Sequence, residues 1–511
     1  MNESSQTTQP EQTSQAFPTS DAGLILAIDL GTSSSRAMLY DTRTGEPAGP
    51  AVSEKHEAHA TPDGGSTLDA DALVAEVVRC VERVLARAHG RAVRGVAVSV
   101  FWHSIIGIDR EGKARTPVLL WSDRRAVKQV GELREQMDAL AYSARTGCPL
   151  HVSYVPGKLR YVAETDAETW AACTRWVSPG EYLFGKLFGW ERVTASHSMA
   201  SATGLFDQTR QEWDKKTLAL VPGMTGDKLS PVSDEPVSGL GASYRDTLAA
   251  VADVPWFPAL GDGACSNMGC GAVTPDTMAL MVGTSGALRV MVPGETPPAL
   301  PPGLWRYQAD TKRFLLGGAL SNGGSVWAWL KRLVHLPDVS DDELEAQIAA
   351  LPPDGHGLTV LPFLAGERAP LWRDDLRATI HGLSSATTPI ELARAHLEAV
   401  ALRFAVVRQA LEPIVPVGSA RILGTGAGLI ASPTWAQIIA DAVGEPLLVS
   451  SEEQASSRGA VLWVRERLGL GHLESAPLPP VTQTITPNTE AADTYRRAGE
   501  RQAWLLKQVD G

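Results

Sequence analysis

The chain has 511 residues, of which 44% are hydrophobic and 20% charged, and a formal net charge of −12. That length exceeds one compact core and predicts two large domains, while the apolar fraction fits a buried globule and excludes a disordered or fibrous chain. The negative charge argues against nucleic acid or an anionic membrane as partner, since both select clustered Lys and Arg, so an anionic substrate would need a locally basic pocket.

Residues 1–22 are polar, contain no Lys or Arg and have no apolar centre. They do not read as a signal peptide and are expected to be a disordered tail. No apolar run approaches the roughly 20 residues that span a bilayer. Cys80, Cys148, Cys173, Cys265 and Cys270 form no C-x-x-C pair and no metal-ligand spacing, which predicts reduced, metal-free thiols in a cytoplasmic protein.

The first strong element is LILAIDLGTSSSRAMLYD at 24–41, an apolar run, a Gly-Thr-Ser turn and a second apolar run, which predicts a β-hairpin. Residues 70–89 place Leu73, Val77, Val81, Val84, Leu85 and Ala88 on one helical face, and VRGVAVSVFW follows as a buried strand. GIDREGKA at 107–114 and GEYLFGKL at 180–187 match the start of a P-loop, but Ala114 and Leu187 stand where Ser or Thr must reach Mg²⁺, so both are rejected.

The hairpin pattern returns in MALMVGTSGALRVMV at 278–292, with Gly283, Thr284 and Ser285 standing as Gly31, Thr32 and Ser33 do; Arg36 lies five residues after the first glycine and Arg289 six after the second. Such a duplicated unit predicts two domains of related fold, each opening a hairpin onto a shared cleft. Farther on, Leu397, Val400, Ala401, Phe404, Val407 and Leu411 make an apolar helical face, and SARILGTG is a strand entering a glycine turn. SPTWAQIIADAVG is then a helix with Ser432 as N-cap, Pro433 at its first position and Gly444 at its end. VPGETPPALPPG and LESAPLPPVTQ read as a surface loop and a late connector. Helices alternating with strands in this way indicate layered α/β domains.

Backbone N–H groups in two tight Gly-Thr-Ser turns can grip a polyphosphate from both sides. Asp29, two residues before Gly31, would then serve through Mg²⁺, because bare carboxylate and phosphate repel. GTGAG at 424–428 follows a strand and precedes a helix but lacks the third-glycine spacing of a dinucleotide fingerprint.

Over roughly residues 24–465 the chain resembles the FGGY carbohydrate kinases. The matching segments run in order: AIDLGTSSSRAMLYD, VLLWSDRR, WVSPGEYLFGKLFG, MASATGLFD, LGDGACSNMGCGA, VGTSGALRV, GGALSNGGSVWAWL, FLAGERAPLW, IHGLS with HLEAVALRF, GTGAGLIASPTWAQIIADAVGEPL and SSRGAVLWV. The resemblance implies an α/β fold of two actin-like (ribonuclease H-like) ATPase domains with a cleft between them, a sugar-binding domain at 23–258 and an ATP-binding domain at 259–511.

It also implies an ATP-dependent sugar kinase with Asp262 as the base that deprotonates the accepting hydroxyl and ATP as co-substrate. Mg²⁺ would be held near Asp29 and Asp262 through water. ATP would be bound by Gly31, Thr32, Ser33 and Arg36 of the first domain and by Gly283, Thr284, Gly324, Gly424, Gly426 and Gly428 of the second, although family members commonly show three adjacent glycines where this chain has G-T-G-A-G. The acceptor side would come from Trp102 and His103, then Trp121, Asp123 and Lys158. Glu367 and Arg368 are expected as a structural ion pair near the hinge rather than as substrate contacts.

FWHSIIGID, TGCPLHVSYVPGK and SHSMASATGLFDQ are most similar to the gluconate-kinase branch. That implies D-gluconate converted to 6-phosphogluconate, with His103, Lys158 and Arg36 as candidate positive charge for the carboxylate. A pentulose kinase such as a xylulokinase is the alternative within the fold, and a non-catalytic actin-like sugar-binding protein is the alternative outside enzymes. The partners implied are the sugar or sugar acid and ATP, with no nucleic acid or membrane; a homodimer stays open.

Overall fold

In a computed structural model that describes residues 23–509, the run LILAIDL forms strand β1 (Leu24–Leu30), which turns into β2 (Ser34–Asp41). The two pair antiparallel from Leu24 with Asp41 to Leu30 with Ser35, so the expected hairpin is present. The expected tail at 1–22 lies outside the described residues. Strand β3 (Val52–Lys55) adds antiparallel to β2. Helix α1 (Ala70–Leu85) begins at Asp69, whose side chain accepts the Ala72 N–H, and buries Leu73, Val77, Val81 and Val84; it stops four residues short of the predicted end.

Parallel to β1 runs β4 (Val93–Val100), and β5 (Leu260–Gly261) joins beyond it, giving the order β5-β4-β1-β2-β3. Every residue of β1 is buried, as a strand covered by helices on both faces must be. Helix α2 (Asp262–Cys270) follows directly from β5.

The second sheet repeats the plan. Strands β6 (Thr277–Val282) and β7 (Gly286–Pro293) form the second antiparallel hairpin, with β8 (Trp305–Asp310) and β9 (Arg313–Leu320) as an antiparallel extension. Helix α3 (Pro389–Ala410) buries the predicted face from Leu397 to Val407. Strand β10 (Arg421–Thr425) runs parallel to β6.

Helix α4 (Pro433–Val443) is capped by Ser432, whose hydroxyl accepts the Trp435 N–H, and ends at Gly444 in the left-handed region, as predicted. Strand β11 (Leu447–Ser450), helix α5 (Ala455–Arg467) and strand β12 (Val481–Ile485) follow. The sheet order is β8-β9-β7-β6-β10-β11-β12. In both sheets a hairpin is flanked by antiparallel strand on its second member and by parallel strands on its first, which is the duplication expected from the two Gly-Thr-Ser turns.

Both rejected P-loop matches are explained. GEYLFGKL lies within the helix Pro179–Phe188, whose capping box uses Ser178 and Glu181, and GIDREGKA contains a tight turn closed by the Asp109 and Lys113 backbones. All five cysteines are buried and free. Among the described residues no helix is long and apolar enough to cross a membrane.

The two units are locked at one helix crossing. Helix α5, which follows the second sheet, returns to pack on β1 and β4 of the first sheet and crosses α2. A Cβ at Gly459 would stand 1.8 Å from the Cys265 carbonyl oxygen, and one at Gly269 would stand 1.8 Å from that of Ala455. Backbone touches backbone there, so no side-chain rotation relieves an added methyl. Gly459→Ala is therefore predicted to lower stability by about 1–3 kcal/mol, against a helix-propensity gain of about 1 kcal/mol, and to reduce turnover by moving α2. Thermal denaturation checks this; an unchanged Tm with full activity would mean that the helices separate freely.

Candidate active site

Two cavities meet between the sheets. The larger, about 600 Å³, is lined by Asp29 and Arg36 of the first hairpin, by Thr425 and Gly426 after β10, and by Ala455 and Ser456 at the start of α5. The smaller, about 200 Å³, is lined by Trp102, His103, Trp121 and Tyr154 on one side and by Trp305, Tyr307, Arg368 and Trp372 on the other. Asp262, Met281 and Arg289 line both.

Asp262 is the first residue of α2 and accepts the Gly263 N–H at 2.8 Å. The Trp102 indole lies directly against the loop, so that a Cβ at Gly261 would fall 1.8 Å from its Cε2 and Nε1. Trp102 is itself fixed by its Nε1–H, which donates to the Ser198 carbonyl at 3.1 Å. The glycines around Asp262 thus reflect an aromatic platform, and the platform aims the carboxylate at the junction. Burial pushes Asp262 up to about 6, with Asp29 adding to the rise and Arg289 opposing it. A carboxylate perturbed by desolvation in a cleft is a candidate for proton transfer.

Asp29 is the penultimate residue of β1 and the cross-strand partner of Arg36, whose guanidinium is 3.8 Å away. Burial raises Asp29 as well, against the nearby Ser99 hydroxyl and the charge of Arg36. Asp29 and Asp262 place two hard oxygen donors of like charge in one cavity, a set that suits a hydrated divalent cation.

The Gly-Thr-Ser turns are closed differently: the Gly31 N–H donates to Ser34 O, three residues on, and the Gly283 N–H to Ser285 O, two residues on, both at 2.9 Å. Thr32 and Ser285 line the smaller cavity. Gly31, Ser33, Gly283, Thr284 and Gly324 line neither cavity, though the Gly324 N–H donates to Gly283 O at 2.7 Å and so joins that pair. Of the three late glycines only Gly426 faces the larger cavity. Gly424 is buried in β10 against Leu429 and Leu447, and Gly428 packs on Val282 and Trp435.

On the acceptor side the structure brings Trp102, His103 and Trp121 together and leaves Asp123 and Lys158 outside the cavity. Asp123 pairs with Arg125 at 2.6 Å. Lys158 is buried, with its ammonium donating to the carbonyls of His103, Val152, Ser153 and Tyr154, so it holds the loop that carries His103. His103 directs Nδ1 at the Ala202 carbonyl at 2.6 Å, and burial lowers it to about 3, so the ring is neutral.

Neither His103 nor Lys158 therefore supplies the positive charge expected for a carboxylate; Arg289 and Arg368 face the smaller cavity instead. The expected Glu367–Arg368 pair does not form, because successive residues of an extended segment point to opposite sides. Glu367 pairs inward with Arg403 at 2.5 Å and is pushed up to about 7 by burial, while Arg368 lies over the Trp121 ring, 5.1 Å from its centroid.

The acceptor wall also draws on the second unit, which the sequence reading did not include. Tyr154 and Tyr307 join their hydroxyls at 2.6 Å across the two units, and Trp305 stacks on Tyr307 at 4.2 Å. The signal available beforehand was Arg289 itself, a lone charge within the apolar strand GALRVMV.

Comparison with known proteins agrees with this geometry. Residues 24–269 match the N-terminal domain of the FGGY family of carbohydrate kinases, and residues 278–463 match its C-terminal domain. The chain is 27% identical over 497 residues to the gluconokinase of Bacillus licheniformis, covering 93% of each chain. In structure it is similar to the gluconate kinase of Lactobacillus acidophilus, with a TM-score of 0.88, 24% identity and coverage of 95% of this chain and 98% of that one. The xylulose kinase of the same organism superposes with a TM-score of 0.87 at 24% identity, covering 96% and 98%. At such identities the two structures establish a shared fold.

For metal-free protein the electrostatics give a prediction. Between the ordinary Asp value of 3.8 and about 6, the folded state holds more protons at Asp262 than the unfolded state, so stability falls as pH rises through that window. Asp262→Asn is expected to raise Tm at pH 8 and to change it little at pH 4. An equal change at both pH values, read by thermal denaturation, would remove burial as the cause.

Proposed function

The chain belongs to the FGGY family of carbohydrate kinases and is an ATP-dependent carbohydrate kinase with the two actin-like domains of that fold; we propose that its acceptor is D-gluconate, phosphorylated on the terminal hydroxyl to give 6-phosphogluconate. The observation that carries this reading is the position of Asp262, where a nucleotide-sized cavity opens into a small aromatic one. The gluconokinase of Bacillus licheniformis, similar over 93% of the chain, supports the choice of acceptor.

In this reading ATP occupies the larger cavity, with Arg36 and Gly426 among its contacts, and its terminal phosphate reaches the junction toward Thr32 and Ser285 of the two Gly-Thr-Ser turns, which line the smaller cavity. The acceptor lies in the smaller cavity between the aromatic walls, whose faces pack on the carbon chain. Its terminal hydroxyl points to Asp262, which takes the proton as the oxygen–phosphorus bond forms and ADP departs. Asp29, with Asp262 through water, would hold Mg²⁺, which neutralises phosphate charge when bound. Burial keeps the His103 ring neutral and the Ala202 carbonyl holds its proton on Nδ1, so Nε2 is left to accept from an acceptor hydroxyl.

The test is a coupled ADP-release assay with Mg·ATP and D-gluconate, D-xylulose, D-ribulose, glycerol or D-erythritol. D-gluconate is expected to lead the others in kcat/KM by roughly tenfold or more, a gap of about 1.4 kcal/mol in transition-state binding. Turnover on a neutral ketose alone would overturn the choice of acceptor and leave the kinase assignment standing.

A further inference from the structure

Arg289 and Arg368 both line the smaller cavity, and of the two only Arg289 also lines the larger. The Nε of each is shut off from solvent and has no hydrogen-bond partner. Arg368 uses one Nη on the Leu320 carbonyl at 2.8 Å, and Gly366, two residues before it, is held by the Asn322 side chain. Among the described residues lining the cavity, Asp262 alone carries a carboxylate. His103 is neutral, and the Tyr154 and Tyr307 hydroxyls are joined to each other.

Two guanidinium groups therefore share a small, largely dry space with one carboxylate; burial lowers the pKa of both, and the charge of Arg289 adds to the lowering at Arg368. Leaving a buried cation uncompensated costs stability. The two are not equivalent. Arg289 acts on Asp262 and lines the larger cavity as well, whereas Arg368 lines only the smaller one, where it lies over the Trp121 ring.

We infer that Arg368, assisted by Arg289, reads the carboxylate of an acyclic sugar acid and so separates acidic acceptors from neutral ones. The inference rests on the kinase reading above and extends it from one acceptor to a class. With the accepting hydroxyl at Asp262, an open chain puts its carboxylate at the opposite end, where the Arg368 fork completes hydrogen bonds that its Nε now lacks. A neutral polyol of the same length fills the same space and leaves the Nε of both guanidinium groups without an anionic partner.

Calorimetric titration of wild type, Arg368→Gln, Arg368→Lys and Arg289→Gln with D-gluconate, D-galactonate and D-sorbitol tests this. ATP affinity serves as the check of folding for the Arg368 variants, because Arg368 does not line the larger cavity. Arg368→Gln is expected to weaken both acids roughly ten- to a hundredfold while D-sorbitol changes less than about threefold, with Arg368→Lys between. In turnover the loss falls on KM for the acid, with kcat nearly kept. Equal losses on acids and D-sorbitol, or none on either, would overturn the inference and leave D-gluconate as acceptor. Wild type that takes D-galactonate but not D-gluconate would overturn that choice of acceptor and uphold the carboxylate reading, whereas a preference for D-sorbitol would defeat both.

Discussion

Close contact between α2 and α5 is the constraint on which the site depends. Gly269 and Gly459 let the two helices meet backbone to backbone, and the two ends of that crossing reach the chemistry. The N-terminus of α2 carries Asp262, and the N-terminus of α5 carries Ala455 and Ser456 into the larger cavity. The Ser456 hydroxyl also donates to the Asp262 carbonyl at 3.5 Å. One packing contact thus sets Asp262 and the floor of the larger cavity together. It also joins the halves of the molecule, since the chain enters the second sheet after α2 and returns to the first through α5.

The electrostatics follow from this placement. Asp29 and Asp262 bring like charge to the larger cavity, and Arg289 and Arg368 bring the opposite like charge to the smaller one. In the proposed reading each pair would be relieved by what fills its cavity, a cation with its nucleotide on one side and an anionic acceptor on the other. Arg289, lining both, keeps Asp262 from being pushed higher than burial alone would take it. A protein that maximised stability would pair or remove such groups; a kinase retains them because they are complementary to charge that arrives with its ligands.

Elements with strong local signals were legible in the sequence. Both hairpins, the capped helix from Pro433 to Gly444 and the apolar face from Leu397 to Val407 follow from periodicity and turn chemistry that need no distant partner. Asp262, Trp102, His103 and Trp121 were placed by the resemblance of their segments. Lys158 and Asp123 were read as acceptor contacts because polar residues near a sugar site suggest hydroxyl binding, yet Lys158 spends its ammonium on four carbonyls and Asp123 on Arg125. Those partners lie on other segments, and spacing along one segment carries no record of them. Arg368 was misread for the same reason: adjacency to Glu367 suggested a pair, whereas the extended backbone sends the two side chains apart and Arg403 takes the glutamate. Trp305, Tyr307 and Trp372 reach the cavity only once the second unit closes over the first, a tertiary fact with no local mark.

The most direct test of the central claim is turnover and ATP affinity measured side by side for Asp262→Ala. If Asp262 takes the proton of the accepting hydroxyl, kcat falls by roughly a hundred- to ten-thousandfold while the Kd for ATP stays within about threefold of wild type. Turnover that survives the substitution, or ATP binding that is lost with it, would contradict the account and return Asp262 to a structural role at the head of α2.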